Sequence, residues 1–418
     1  MRVANVKGTK DIYGTASSLF KEIVDLAYHL SSIYGFETIS TPIMEYKDLF
    51  INTLGNTSDI ISKEVYALHD RNGEEIILRP EFTASIARSF VQHMQSLSLP
   101  RKLFSWGPLF RYERPQKGRM RQFHQLNYEA IGIQSTCYDV EIISLAESLL
   151  KNLNIQDFTL HINSLGNMHT RNQYIIALKS FLQPLQLDLS EDSQKRLKNN
   201  PLRILDSKDS RDIEILCQAP KISDFYDSES KMIFDSILQK LTGLNINFKI
   251  NHNIVRGLDY YSHTVFEFTH DDLGAQSAIL AGGRYHDLIA NLGGPKIQSI
   301  GFAAGIERLL LLTENTQDNK YDVSVVFLDN ITENMEYILT TIATLRNHNI
   351  LVNCLFDKSF KQQMKSASSN SKVMVLIGPE EINCNSVSIK HLVEHQQDVV
   401  LLTDMVSYII KILNYATK

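Results

Sequence analysis
Apolar residues recur at helical spacing over residues 17–34 (SSLFKEIVDLAYHLSSIY), behind a serine cap, and predict an amphipathic helix. The next stretch, GFETISTPIME, changes to alternating and β-branched residues and predicts a strand ending at Pro42. EEIILRP, KLFSWGPLFRYER, FHQLNYEAIG and FTLHIN have the same strand character, while TASIARSFVQHM and DVEIISLAESLLKNL return to the helical period. Strands that follow one another without regular βαβ alternation point to an antiparallel sheet flanked by helices, an α+β design.

The pattern then changes twice. Residues 169–250 are charged, helical in period and poor in strand signal, and predict a mostly helical insertion. The strand pattern resumes at NHNIVRGLDYYSHTVFEFTH, passes AILAGGRYHDLIANLGG, and ends in a helix over AAGIERLLLLTEN. After a polar junction at about 316–322, the short apolar runs VSVVFL, ILVNCLF, VMVLIG and DVVLLT alternate with the helical stretches NMEYILTTIATLRNH and SFKQQMKSASS. That alternation predicts a small C-terminal α/β domain over 323–418, with helices on both faces of its sheet.

Composition narrows the class. A chain of 418 residues is long for one core and suggests two or three domains. Its 43% hydrophobic and 21% charged residues are ordinary for a globular protein. A net charge of −5 means that contact with nucleic acid must be local rather than spread over the surface. Cys137, Cys217, Cys354 and Cys384 are scattered, which fits free thiols and argues against a disulfide frame or a zinc site. The first residues lack the apolar core of a signal peptide, and the apolar runs are too short to span a bilayer, so the expected location is cytoplasmic, away from membranes.

Against that acidic background, FRYERPQKGRMRQFHQ at 110–125 puts five cations into sixteen positions with one acid, Glu113. Strand–loop–strand geometry places Arg111 at the end of one strand and Phe123 near the start of the next, with GRMR at the tip. A guanidinium binds two phosphate oxygens at once, and an aromatic ring stacks on a purine. The same residues also suit an exposed basic hairpin without a ligand. In GFAAGIERLLLL, Arg308 lies on an otherwise apolar helix and needs a partner: Glu307, another acid, or the same phosphates. Glu81 and Thr83 share one face if their segment is extended, as do Gln125 and Glu129. Two carboxylates and a glutamine together suit an ammonium group and a second basic group. Tyr260 and Tyr261 face opposite ways in a regular strand and line one wall only if the chain turns there.

The order of these pieces is informative. A strand with a terminal proline, the FRYER…RQFHQ hairpin and the GIER helix resemble the three signature motifs of class II aminoacyl-tRNA synthetases. VKGTKDI, LRPEFTA, FRYERPQKGRMRQFHQLNYEAIG, NPLRILDSKD, RGLDYYSHTVFEF, AGGRYHDLI and GFAAGIERLLLL are similar to the bacterial type of histidyl-tRNA synthetase, along essentially the whole chain.

That resemblance implies a class II catalytic domain over 1–168 and 251–320, interrupted by the helical insertion 169–250, and an anticodon-binding domain over 323–418. It implies a homodimer, with its interface around Pro42. The substrates would be L-histidine, ATP with Mg²⁺ on its outer phosphates, and tRNA(His). Arg111 would hold the α-phosphate, Glu113 the adenine amino group, Phe123 the adenine ring and Arg308 the γ-phosphate, with Arg121 nearby. Arg256 would lie over the substrate carboxylate and α-phosphate and act with Arg111 in catalysis. Glu81, Thr83 and Gln125 would hold the α-ammonium, and the backbone of Phe82 would lie near it. Glu129 and Tyr261 would meet the imidazole, and Tyr260 and Tyr285 would wall the pocket. Arg114 and Gln116 would touch the tRNA acceptor end. Two positions depart from the family pattern: Lys7 stands where arginine is expected, and Phe82 where glycine is common. Acids slightly outnumber lysines and arginines in the C-terminal domain, which points to base readout in unpaired loops rather than a general electrostatic grip.

Two related proteins offer rival functions. One is the silent paralogue that regulates ATP phosphoribosyltransferase, which lacks the RGLDYY segment and the C-terminal domain; this chain has both. The other is a sensor of uncharged tRNA, expected to have lost Arg256 or the Arg111 and Arg308 pair; all three are here.

Overall fold
The computed structural model describes residues 3–55, 60–116, 118–255, 260–314, 321–328 and 334–413, with the backbone alone at 275 and 276. It forms two compact units, residues 1–314 and 315–418.

The first unit opens with α1 (Thr15–Ile33), which buries Leu19, Ile23, Val24, Ala27 and Leu30 along one stripe. The single strand expected over GFETISTPIME is instead two short pieces, β1 (Glu37–Thr38) and β2 (Met44–Tyr46). Pro42 has no N–H for a ladder, and the carbonyls of Thr41 and Pro42 accept from the buried Arg79 guanidinium at 2.7 and 3.3 Å. Next come α2 (Lys47–Leu54), β3 (Tyr66–His69), β4 (Glu75–Leu78) and α3 (Thr83–His93). Strand β3 gave no sequence signal; with β2 and β4 it forms a small antiparallel sheet in the order β2-β4-β3.

The main sheet is built from β5 (Arg101–Phe110), β6 (Gln122–Ile133), β7 (Thr159–Ser164), β8 (Lys249–Ile250), β9 (Tyr261–Thr269), β10 (Ala278–Tyr285) and β11 (Gln298–Gly305), together with β1. Its order is β1-β5-β6-β11-β10-β9-β7-β8. The six inner strands are antiparallel, and the two-residue strands β1 and β8 add in parallel at the edges. Helices α4 (Cys137–Asn152) and α8 (Ser228–Gly243) join α1 and α10 (Ile306–Leu312) over one face, where Phe104, Tyr128, Phe266, Phe268 and Phe302 are buried. Tyr128 stacks on Phe302 at 4.9 Å. On the other side a second core gathers α2, α3 and the short α9 (Leu288–Asn291) around Ile131 and Tyr285.

Residues between β7 and β8 are helical: α5 (Met168–Leu182), α6 (Glu191–Asn199), α7 (Ser210–Leu216) and α8. Asn167, Ser190, Asp209 and Asp227 cap these four helices with their side chains. Helices α5 to α7 share a core of their own, whereas α8 contributes Phe234, Ile237 and Leu241 to the main one.

The second unit contains β12 (Tyr321–Phe327), α11 (Met335–Asn347), β13 (Val352–Cys354), α12 (Phe360–Asn370), β14 (Ser371–Ile377), α13 (Pro379–Asn383), β15 (Ser386–His391), β16 (Gln396–Leu401) and α14 (Met405–Ile412). Its sheet runs β13-β12-β14-β15-β16, with the first three strands parallel and the last two antiparallel. Val323 and Val325 pack with α11 and α14 on one face, and Val326 packs with Ala367 of α12 on the other, as expected for helices on both sides. Strand β15 was not predicted: SVSIKH is polar at every second position and too short to stand out.

Candidate active site
Strand β6 divides core from site by parity. Leu126, Tyr128 and Ala130 point into the helix-covered core. Gln125, Asn127 and Glu129, on the opposite face, line a cavity of about 1080 Å³ in the first unit.

Glu129 is the floor of this cavity and is almost fully buried. Its Oε1 accepts from the Thr83 hydroxyl at 2.6 Å and from Asn127 Nδ2 at 3.2 Å, and its Oε2 accepts from the Tyr285 hydroxyl at 2.9 Å. Burial pushes its carboxyl up to about 7, against the pull of those three donors and with some help from the nearby Glu81 charge. Gly301 on β11 is the register partner of Glu129 on β6, and a Cβ there would lie 2.0 Å from Oε2. Glycine is required there by close approach, whatever the backbone angle.

Glu81 is not in an extended segment, as sequence parity assumed; it sits in the turn that starts α3. Its two oxygens accept from the backbone N–H groups of Thr83 and Ala84 at 2.7 Å each, so the carboxylate caps the helix. Burial raises its proton affinity, opposed by these N–H donors and by the Arg111 charge. Phe82, just before the helix, is buried under the Arg79 guanidinium, 4.2 Å from the ring centroid, and does not line the cavity. Arg79 therefore fixes both the Pro42 corner and the Glu81 turn from behind.

Tyr260 and Tyr261 do line one wall together with Tyr285. Tyr260 lies in the turn before β9, which breaks the strand parity, and its ring is 4.6 Å from Tyr261 and 5.5 Å from Tyr285. Burial holds the Tyr260 and Tyr285 phenols well above their usual range, so both stay protonated and able to donate. Arg256 lies outside the described residues.

The cationic end is built on the β5–β6 hairpin. Arg111, one residue past β5, donates Nε to the Pro80 carbonyl at 2.9 Å and lies 5.3 Å from the Phe123 ring centroid. Glu113 pairs with Arg119 at 2.9 Å and stands 3.9 Å from Arg111. Arg111, Glu113, Phe123 and Arg308 all line the cavity. Arg308 is the third residue of α10, and one of its nitrogens donates to the Ala278 carbonyl. Its neighbour Glu307 accepts from His124, through the backbone N–H at 2.9 and 3.1 Å and through the ring Nδ1 at 2.9 Å. Arg121 departs from its expected position. Its guanidinium lies over the Tyr112 ring at 3.8 Å, its stem packs on Gly8, and it does not line the cavity. Arg114 and Gln116 are exposed near the hairpin tip, where Gln116 bridges to Arg119.

Two contributions were missed by sequence reasoning. Asn127 shares the parity of Gln125 and Glu129, a signal that was available. Insertion residues Arg196, Arg203, Lys208 and Arg211 line the outer part of the same cavity, a placement that only the fold reveals.

Residues 8–309 match the family model described as histidyl-tRNA synthetase. A histidine–tRNA ligase of Wolbachia pipientis (Culex pipiens strain wPip) is 48% identical over 389 residues, which cover 93% of this chain and 95% of the relative. The histidine–tRNA ligase of Neorickettsia sennetsu is 44% identical over 414 residues, 99% of each chain. The solved structure of apo S. aureus histidyl-tRNA synthetase superposes with a TM-score of 0.79 at 31% identity, covering 98% of this chain and all of that one.

Proposed function
The chain belongs to the histidyl-tRNA synthetase family, and we propose that it joins L-histidine to ATP, releasing pyrophosphate, and then passes the histidyl group to the 3′ end of tRNA(His). The observation that carries this reading is the buried Glu129, held by Thr83, Asn127 and Tyr285 at the floor of a cavity whose other end is cationic. One end suits an imidazole and the other a polyphosphate.

The chemistry follows from the residues. A carboxylate oxygen of histidine attacks the α-phosphorus, the bond to the β-phosphate bridge breaks, and pyrophosphate leaves. The nucleophile is already an anion, so no base is needed and the protein acts by positioning and charge stabilisation. Arg111 holds the α-phosphate, Phe123 stacks on the adenine that Glu113 reads at its amino group, and Arg308 holds the γ-phosphate. Glu81, Thr83 and Gln125 receive the ammonium, while Glu129 and Tyr261 receive the imidazole. The resemblance assigns Arg256 the task of offsetting charge on the reacting carboxylate and α-phosphate. Among the described residues, no group of three or more carboxylate, imidazole or thiol side chains could hold a metal ion. Mg²⁺, as the resemblance implies, would come with ATP and offset charge on its outer phosphates.

Arg114 and Gln116 reach for the acceptor end of the tRNA, and the second unit reads the anticodon. No helix among the described residues is long and apolar enough to cross a membrane, and the proposed location is the cytoplasm. A homodimer is supported by the small sheet β2-β4-β3. Tyr46 and Leu68 both register with Ile76, with Met44 beside them, and the three large side chains are 58, 50 and 59% exposed on one face. Light scattering on Leu68→Glu, expected to yield monomers, tests that interface.

The experiment for the reaction is histidine-dependent exchange of labelled pyrophosphate into ATP over a panel of amino acids. Exchange with histidine alone is expected. Histidine binding without exchange would favour a regulatory or sensor role.

A further inference from the structure
Asn127 lies between Gln125 and Glu129 on β6, and its side chain is buried in the cavity wall. One half of the amide has a defined task, since Nδ2 donates to Glu129 Oε1 at 3.2 Å. The other half has none: Oδ1 is buried without a hydrogen-bond partner among the described residues. A buried acceptor left unpaired costs about 1–3 kcal/mol, so the fold keeps it at some expense.

The donor that would satisfy it follows from counting. A carboxylate offers roughly four acceptor sites. Glu129 uses three of them on Thr83, Asn127 and Tyr285, which leaves one for an imidazole N–H. A neutral imidazole has a single N–H, so the ring has no second proton for Asn127. The α-ammonium has three N–H donors. Glu81, Gln125 and the Thr83 hydroxyl oxygen, whose lone pairs stay available while its proton goes to Glu129, are acceptors for it, and Asn127 Oδ1 is the acceptor in this wall that is buried with no partner among the described residues. Residues two apart on a strand are separated by about 6.5–7 Å, which puts Asn127 level with the carbons that join the ring to the ammonium.

We propose that Asn127 is a further histidine-binding residue, fixing Glu129 through Nδ2 and accepting an ammonium N–H of the substrate at Oδ1. The proposal rests on the histidine reading of the site. It makes Asn127 a specificity determinant for the α-amino group, beyond its hold on Glu129.

The test compares L-histidine with imidazolepropionate, which keeps the ring and carboxylate and lacks the ammonium. Both are titrated calorimetrically into the full-length protein as wild type and as Asn127→Leu. Loss of the Glu129 contact alone would weaken both ligands equally and leave the ratio of their dissociation constants unchanged, and that result would overturn the proposal. The expected result is that histidine weakens about tenfold more than imidazolepropionate, the size of a hydrogen bond to a charged group. Should the leucine variant not fold, Asn127→Asp keeps the acceptor and adds a charge. The preference for histidine should then rise several-fold, and an unchanged preference would again overturn the idea. A wild-type protein that binds no histidine would refute the underlying reading instead, a separable outcome.

Discussion
The Glu307 carboxylate accepts both the backbone N–H and the ring Nδ1 of His124, so the strand carrying Phe123 and the helix carrying Arg308 are fastened to each other at one point. The rings of Phe20 on α1 and His124 lie edge to face at 5.0 Å, which fixes the imidazole from the other side. The adenine and γ-phosphate contacts proposed for Phe123 and Arg308 thus depend on a neighbour of each.

Glu307→Ala should weaken ATP selectively. Loss of hydrogen bonds to a charged acceptor is worth about 1.5–3 kcal/mol, so the KM for ATP in the exchange reaction should rise by about tenfold or more. The KM for histidine should stay within about twofold, because Glu307 does not touch the Glu129 end of the cavity. Glu307→Gln keeps one acceptor and should fall between. A rise in both KM values would mean that the residue supports the fold in general.

Arg111 and Arg121 flank the hairpin symmetrically in sequence, and the structure separates them. Arg111 faces the cavity, whereas Arg121 covers Tyr112 and Gly8. Arg111→Met should lower exchange by about 10²-fold or more, the usual loss for a charge-stabilising donor. Arg121→Met should change the KM for ATP by less than about threefold and act mainly on hairpin order. Steady-state exchange on the two variants decides whether Arg121 belongs to the nucleotide site.

Much of this was legible in the sequence because the chemistry lies on regular strands. Parity along FHQLNYEAIG put Gln125 and Glu129 on one face, and helical periodicity located α1, α3 and α4. What failed was any inference that assumed regularity where the chain turns. A shared face for Glu81 and Thr83 required an extended segment, whereas Glu81 caps a helix, and the GFETISTPIME strand breaks where Arg79 takes its carbonyls. Tyr260 and Tyr261 share a wall because one lies in a turn. The His124–Glu307 contact spans 183 positions, and no local pattern encodes such a partner.

Arg284 shows how a motif can look like a site and serve the frame. AGGRYHDLI aligns with the pocket through Tyr285, but Arg284 points away and donates Nε to both oxygens of the buried Asp139 at 2.9 and 3.0 Å. Asp139→Leu alone leaves a buried guanidinium without its anion and should cost about 3–5 kcal/mol in chemical denaturation. The double variant Asp139→Leu/Arg284→Met should recover much of that loss, since burying two apolar groups avoids desolvating two charges. An additive double mutant would show that the ion pair itself contributes little.

The position of Glu129 links stability to function through pH. Burial raises its carboxyl from an ordinary 4.5 to about 7. Between those values the folded protein holds a proton that the unfolded chain has released, so stability falls as pH rises through this window. A shift of about 2.5 pH units at about 1.4 kcal/mol each gives about 3.5 kcal/mol lost by the time the carboxylate is fully charged. The charged form is also the one that accepts an imidazole N–H, so histidine affinity should drop as pH falls below about 7 while ATP affinity does not. Glu129→Gln removes the titrating group. Its stability relative to wild type should therefore improve between pH 5 and pH 8 by about 1–3 kcal/mol, with histidine binding weak throughout. Thermal unfolding of both proteins at the two pH values, with histidine titrations alongside, measures the two effects separately. A difference in stability that does not change with pH would mean that Glu129 ionises at its ordinary value, and that its three donors balance burial.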